Sequence, residues 1–587
     1  VSLISSIAST LGLGPAPTQL PATASATPWL DKPTAPAGQQ VAHVRVLSVN
    51  DFHGQLGDSE AEVDGQDIGG AATLAAYVKR ERAGNPNGTV FVSAGDAVGA
   101  APPESTLLRH HSTIAALAAM GVDLATFGNH EFDGGYAEAI RLIMGDDALP
   151  KAQREQGIAV APARRRRKGA AARADAVAGQ RNVAVSRGKA KWPGSPFPWV
   201  SANVVHAKTG RTVLPRYVIK EIDGVKVAFV GVVTKDLKKV TMASGIPNIK
   251  ATDPIAAVNK LVPEIQAKGV KAIVVVAHEG GVADKDDPNK LSGPIVDLAN
   301  GLDPEVDAII SGHSHKEYAT SLNGKQVIQA GNYARALGVV ELAVDRATGQ
   351  VVNSSSRLVR NYEEGIRPDP QVARMVGTFE AAVAPRTKRV VTTITKPITR
   401  EASPSGETTL GSLIADAQRA FAKSDIAVMN NGGVRQDIDD AGEVTWGTLF
   451  GVQPFGNIVT RMELTGAEVR QVLEEQFPAD GSPPKTLQIS GMTVHLDLTK
   501  PIGQRVAKLV MADGSALDPK KTYTVAANSF IAEGGDGFVT LKKGRRKQEL
   551  GDDLSALVTY LERGGKVPTG FEGRISIVAG QLAPHAH

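Results

Sequence analysis

Five short apolar runs in this chain each end in a residue type that can bind a metal ion, and that regularity limits the fold more than any other feature. Val44-Arg45-Val46-Leu47-Ser48-Val49 leads into Asn50-Asp51-Phe52-His53. Val90-Phe91-Val92-Ser93 leads to Gly95-Asp96, and Leu124-Ala125-Thr126-Phe127 to Gly128-Asn129-His130-Glu131. Ile273-Val274-Val275-Val276-Ala277 leads to His278, and Ala308-Ile309-Ile310-Ser311 to Gly312-His313-Ser314-His315. Such runs, separated by segments of helical period, predict an α/β layered domain from about Val41 to Val359. Strands are expected at His43–Val49, Val90–Ser93, Leu124–Phe127, Lys226–Val233, Ala272–Ala277, Ala308–Ser311 and Gln326–Gln329. In α/β sheets ligands gather at the carboxyl ends of strands, so all five deliveries can converge.

The spacing within the deliveries points the same way. Asp51 and His53 are two residues apart, as are His313 and His315; in extended backbone both side chains of a pair would share a face. Gly95, Gly128 and Gly312 allow the backbone to turn beside the site with no side chain in the way. Together the deliveries offer two carboxylates (Asp51, Asp96), one amide (Asn129) and four imidazoles (His53, His278, His313, His315). That is too many donors for one tetrahedral ion but suits two ions sharing a carboxylate, with Asp96, alone on its turn, as the bridge. A nitrogen and oxygen set of this mixture favours Zn, Mn, Fe or Co over Ca or Mg. The chain has no cysteine, which removes disulfides and thiolate ligands from consideration.

A chain of 587 residues exceeds one core, so at least two domains are expected. A net charge of +4 is small for this length and argues against a nucleic-acid partner. No run approaches the roughly 18 apolar residues of a membrane span. Residues 1–13 are mildly apolar and uncharged, like the remnant of an export signal, and 14–40 are rich in Pro, Ala and Thr, so 1–40 reads as a disordered tether. Within the first domain (41–360), residues 151–191 carry Arg164-Arg165-Arg166-Arg167-Lys168 and read as a solvated insertion, with contact to an anionic surface or a proteolytic nick as alternatives.

A connector follows at 361–385, with a helix over Asp369–Val383, and then a second domain over 386–577 and a polar tail at 578–587. The second domain opens with a strand at Val390–Ile398, followed by a helix at Leu410–Lys423, a strand at Ile426–Met429 and a turn over Asn430–Arg435. Arginines such as Arg435 suit bidentate phosphate contacts. In a chain with only 4% aromatic residues, Phe455 in Gln453-Pro454-Phe455-Gly456-Asn457 and Phe530 before Glu533-Gly534-Gly535-Asp536-Gly537-Phe538 stand out. Both are expected in loops, and each reads equally as core packing or as a stacking face for a base.

The series Asp-x-His, Gly-Asp, Gly-Asn-His-Glu, a lone His and Gly-His-x-His resembles the motif set of the calcineurin-like metallophosphoesterases. The longer forms Asn50-Asp51-Phe52-His53-Gly54 and Gly128-Asn129-His130-Glu131-Phe132-Asp133 resemble the bacterial 5′-nucleotidase and 2′,3′-cyclic phosphodiesterase family, over about Ala42 to Ile577. The resemblance implies a four-layer β-sandwich flanked by helices, plus a second α/β substrate-binding domain. It implies one divalent ion on Asp51, His53, Asp96 and His315, and a second on Asp96, Asn129, His278 and His313. An activated water on the ions would attack phosphorus in line, His130 would stabilise the transition state or assist the leaving group, and Asp133 would orient His130.

In the second domain the resemblance implies that Phe455 and Phe530 sandwich the base. It further implies that Arg400, Asn430 and Arg435 hold the phosphate or ribose region and that Asp536 contacts the ribose. Some relatives carry a further arginine just after Arg400, and none occurs between 401 and 418 here. The two domains would rotate about the connector. The expected function is thus a nucleotide phosphohydrolase: a 5′-nucleotidase, with 2′,3′-cyclic phosphodiesterase or UDP-sugar hydrolase side activities. The alternatives are a metallophosphoesterase acting on another ester, such as a thiosulfate ester, and a surface-binding protein with vestigial activity. The protein is expected to be secreted, periplasmic or at the cell surface, attached through its tether or free, and a monomer or weak dimer.

Overall fold

Strand Val41–Val49 is buried along almost its whole length, because it lies inside a sheet covered on both faces. The computed structural model describes residues 40–58, 62–156, 191–284, 286–287, 289–479 and 483–581. The expected tether, the Arg164–Lys168 run and the last residues of the tail lie outside them.

The chain forms two compact units, the first drawn from residues up to Ala382 and the second chiefly from Val383 onward. In the first, one six-stranded sheet runs in spatial order Val351–Arg360, Ala336–Asp345, Val41–Val49, Thr89–Ser93, Leu124–Thr126, Trp199–Val200. A second runs Glu317–Leu322, Lys325–Ala330, Ala308–Ile310, Ala272–His278, Val225–Val233, Tyr217–Ile222. Val46, Val92 and Val340 of the first sheet share one core with Phe229, Val274, Val276 and Ile328 of the second. The alternate residues Val230, Ile273 and Val275 point the other way and pack with Ile265, Ile295 and Leu298 from helices. That period of two, with helix Ala71–Gly84 against strand Ala336–Asp345, builds the expected helix–sheet–sheet–helix layering.

The strands that deliver the predicted ligands are parallel within each sheet. Val41–Val49 runs parallel to Thr89–Ser93, and that strand parallel to Leu124–Thr126; Ala272–His278 runs parallel to Ala308–Ile310. Their carboxyl ends therefore lie along one edge of each sheet.

Helix Pro370–Thr387 carries the chain into the second unit. There the strand expected at Val390–Ile398 is shorter, Val390–Ile394. A five-stranded sheet runs Leu487–Ser490, Ile426–Asn430, Thr522–Asn528, Ile458–Thr465, Arg545–Asp552. Helix Thr409–Ala422 packs on it, its start capped by Thr408, whose hydroxyl accepts from the Gly411 N–H. Ile426–Asn430 and Thr522–Asn528 are parallel neighbours, so Asn430 and Asn528 end their strands side by side.

Candidate functional site

All seven predicted metal donors come together in the first unit. Asp51, His53 and His315 offer donor atoms within 4.8 Å of one another, and so do Asp96, His278 and His313. Asp96 Oδ2 faces both groups, 3.9 Å from His53 Nε2 and 3.1 Å from His278 Nε2, and Asn129 Oδ1 lies 3.2 Å from the same His278 nitrogen. His313 and His315 thus divide between the two groups.

The backbone that achieves this is not extended. Asp51, His53, Asp96, His313 and His315 all have positive φ, between 47° and 74°. This overturns the extended-pair expectation, and its physical basis is plain: each side chain is turned inward at a left-handed residue instead of sharing a face with its partner. Such conformations cost on the order of 1–2 kcal/mol per non-glycine residue and cluster where surrounding contacts over-determine them. His278 differs from the expected placement too, being the last residue of its strand.

A shell of polar contacts fixes the donors. Asn50 Nδ2 donates to Asp51 Oδ2 (2.7 Å) and to the Gly331 carbonyl (2.6 Å), while its Oδ1 accepts from Ala330 N–H (2.8 Å). Glu131 accepts from the backbone N–H groups of Asp96, Ala97 and Gly128 at 3.1, 2.8 and 2.5 Å, knitting two deliveries together. The Tyr333 ring lies 5.3 Å from that of His53 and 5.9 Å from that of His315. A Cβ at Gly128 would fall 2.1 Å from Asp96 Oδ1, so the close approach requires glycine there.

Whether these residues suit metal ions is decided by their lone pairs. His278 Nδ1 donates to the Ala94 carbonyl at 2.9 Å, which aims Nε2 at Asp96 Oδ2 and Asn129 Oδ1. A proton or a metal ion on that nitrogen satisfies the carboxylate and amide oxygens beside it. His53 Nδ1 likewise donates to the Gly99 carbonyl at 2.9 Å, which turns Nε2 towards His315 Nε2, 3.2 Å away. His315 Nδ1 meets the Asn332 amide at 3.0 Å, and Asn332 Oδ1 is buried without a partner. A half-turn of that amide lets Oδ1 accept from Nδ1 and frees His315 Nε2 for a metal. The donor set fits divalent ions.

The electrostatics agree. Burial alone would raise the Asp96 carboxyl, but the imidazoles of His278, His130 and His53 outweigh it and hold the group well below its ordinary range. Asp51 is likewise brought down to about 2, His315 and His278 prevailing over burial. His278, which burial would lower, is instead raised to about 10 by Asp96 and Asp51, and burial together with His278 pushes His313 down to about 4. Two anions at the centre of an imidazole ring set are a strong cation trap.

His130 stands against this centre. Its ring lies 5.0 Å from that of His53, its Nδ1 is 2.9 Å from Asp133 Oδ2, and its backbone N–H donates to Asp96 Oδ1 at 2.8 Å.

In the second unit, Asn430 Nδ2 donates to Asp536 Oδ2 (3.0 Å), and Lys485 Nζ reaches Asp536 Oδ1 (3.1 Å). Asn528 Nδ2 donates to Asn430 Oδ1 at 2.8 Å. The Arg435 guanidinium lies 5.7 Å from the centre of the Phe455 ring. Arg400 binds Asp437 through Nε and Nη2, both at 3.0 Å, and its Nη1 donates to the Arg435 carbonyl at 2.9 Å, so its guanidinium braces Arg435. Phe530 does not sit in a loop: it lies in the short helix Ser529–Ala532, capped by Asn528, half-buried against the core of the unit. Gly535 abuts it, since a Cβ there would fall 2.6 Å from the ring. Phe455 is half-buried in the turn after helix Trp446–Val452.

Residues 389–543 match the family model of the 5′-nucleotidase C-terminal domain. Over 93% of its length the chain is 34% identical to the Bacillus subtilis protein named endonuclease YhcR, although it spans only 41% of that protein. Over 92% of its length it is 30% identical to the cell wall protein Lmo0130 of Listeria monocytogenes, of which it spans 70%. The chain belongs to the 5′-nucleotidase family. The crystal structure of a 5′-nucleotidase precursor from Thermus thermophilus superposes on it with a TM-score of 0.72 at 25% identity, covering 91% of this chain and 99% of that one. The family is one of phosphoric-ester hydrolases, and the two-unit α/β architecture is its own.

Several supporting residues of the site are not evident from the sequence. Asn50 and Glu131 lie within the metal-site motifs, but most of their partners are backbone groups of other segments. Asn332 and Tyr333 follow strand Lys325–Ala330, and the signal that would have found them is a sixth delivery, Gly331-Asn332-Tyr333.

Proposed function

We propose that this chain is a two-metal phosphohydrolase that releases phosphate from nucleotides. The observation that carries the reading is a pair of adjoining donor groups: the donor atoms of Asp51, His53 and His315 lie within 4.8 Å of one another, as do those of Asp96, His278 and His313, and Asn129 Oδ1 lies 3.2 Å from His278 Nε2. Asp51, His53, Asp96 and His315 would hold one divalent ion, and Asp96, Asn129, His278 and His313 the other. Bound ions supply Lewis-acid neutralisation of phosphate charge and a nucleophilic water at neutral pH.

The remaining work falls to the chain's own side chains. Asp133 accepts from His130 Nδ1, which fixes the ring's orientation, so that Nε2 can hold a proton against a phosphoryl oxygen or the leaving group. Asn430 and Asp536, already bonded to each other, present an amide and a carboxylate suited to ribose hydroxyls. Arg435, braced by Arg400, is the phosphate grip, and Phe455 and Phe530 are the stacking faces for the base.

We place the protein outside the cytoplasm or on the cell surface. The similarity to a cell wall protein of Listeria monocytogenes supports this.

The test is phosphate release from AMP, 2′,3′-cyclic AMP, UDP-glucose, p-nitrophenyl phosphate and a short oligonucleotide, with Zn, Mn, Co and Fe supplied in turn. Turnover of nucleotides above p-nitrophenyl phosphate is expected. Inertness towards all of them with every metal overturns the reading.

A further inference from the structure

The turn that carries Phe455 is gripped from beneath by a single buried carboxyl group. Asp553 opens helix Asp553–Glu562 and is 1% exposed, as is Gln453 at the start of the turn. The Asp553 backbone N–H donates to the Asn457 carbonyl at 2.8 Å, and its side chain bonds that of Asn457. Gln453 Nε2 lies 3.4 Å from Asp553 Oδ2. One residue therefore holds both ends of Gln453-Pro454-Phe455-Gly456-Asn457. Asn457 Oδ1 in turn accepts from Ser529 Oγ at 3.2 Å, and Ser529 Oγ accepts from Ile458 N–H at 3.1 Å. Ser529 directly precedes Phe530, so the contact chain runs from one phenylalanine segment to the other.

The geometry points to Asp553 as a positioning residue that sets the placement of Phe455 relative to Phe530, and so the affinity for the nucleobase, without touching the nucleotide. This rests on the reading of those two rings as base platforms. Two observations indicate that Asp553 acts as a neutral acid. Gln453 Oε1 is buried with no hydrogen-bond partner, and a half-turn of its amide would let it accept from a protonated Asp553. Burial, with the Asp552 carboxylate adding to it, also pushes the Asp553 carboxyl up to about 8. A neutral acid suits a buried site where an unpaired anion would be costly.

The test compares Asp553→Asn, Asp553→Ala and Gln453→Leu in the metal-loaded full chain, with KM and kcat read for AMP and for p-nitrophenyl phosphate. Asp553→Asn keeps a neutral group with a donor and should stay within about twofold of wild type. Asp553→Ala and Gln453→Leu should raise KM for AMP about tenfold, a part of the stacking energy of one base, with kcat and both p-nitrophenyl phosphate constants unchanged. Equal losses on both substrates, or no change in the AMP KM, overturn the proposal. If Asp553→Ala does not fold, Gln453→Leu gives the same reading from the other side of the bond. A wild type with no preference for AMP over p-nitrophenyl phosphate would instead sink the nucleotide reading itself, which separates the two failures.

Discussion

The backbone N–H of His130 donates to Asp96 Oδ1 at 2.8 Å, so the imidazole beside the metal donors hangs from the carboxylate that both donor groups face. Because the main chain makes that bond, His130→Ala removes the ring and leaves the Asp96 geometry in place. The expected result is a kcat on AMP lower by about 10²–10⁴-fold, the usual worth of a positioned acid or base, with metal content unchanged by elemental analysis. Loss of metal along with activity would mean that His130 is itself a ligand. Asp133→Asn, which keeps the ring but weakens its partner, should fall between the two.

Gly128 gives a prediction of the opposite kind. A Cβ there would lie 2.1 Å from Asp96 Oδ1 and 2.5 Å from the Asp96 nitrogen, and neither the backbone nor the buried Asp96 carboxylate can yield cheaply. Gly128→Ala should leave His130 and Asp133 intact yet bind fewer than two equivalents of metal and lose turnover in proportion. Metal titration of the purified variant checks this, and wild-type stoichiometry would contradict it.

How much of this could be read in advance divides along physical lines. The seven donors were legible because strand periodicity fixes where a chain leaves a sheet, and parallel strands leave on one edge. The left-handed backbone at Asp51, His53, Asp96, His313 and His315 was not, since nothing in an Asp or His residue announces a positive φ. Glu131 was invisible in its role because its partners are N–H groups brought close only by folding. In the second unit Phe530 was legible as a type but not as a helical residue, because the Asn528 cap that starts its helix looks like any loop asparagine. Nor could the sequence show that Asp437 occupies the Arg400 guanidinium, as the two are far apart in the chain.

Phe455 bears on specificity alone. It is half-buried in a turn, with the Arg435 guanidinium 5.7 Å from its ring centre. Phe455→Ala should raise KM for AMP by about tenfold to a hundredfold, given about 1–3 kcal/mol for a stacked base, and leave p-nitrophenyl phosphate hydrolysis unaltered. Equal effects on the two substrates would identify the ring as core. Arg435→Ala should instead weaken binding of AMP more than of adenosine, measured by competition.

Asp553 also predicts a pH dependence of stability. Its carboxyl is raised from 3.8 to about 8 in the fold, by burial first and the Asp552 charge second. Between these values the folded chain holds a proton that the unfolded chain has released, so the unfolded state binds fewer protons and stability declines as pH rises. The contribution is fully present below about pH 4, fades through the interval, and is gone above about pH 8, where both states are ionised. Asp553→Asn cannot titrate and lacks this slope. Denaturant unfolding of the two proteins at pH 5 and pH 8 should therefore show wild type losing ground to the variant at the higher pH. A constant difference between them at both pH values would mean that Asp553 is ionised throughout and that its grip on Gln453 and Asn457 is made as a carboxylate.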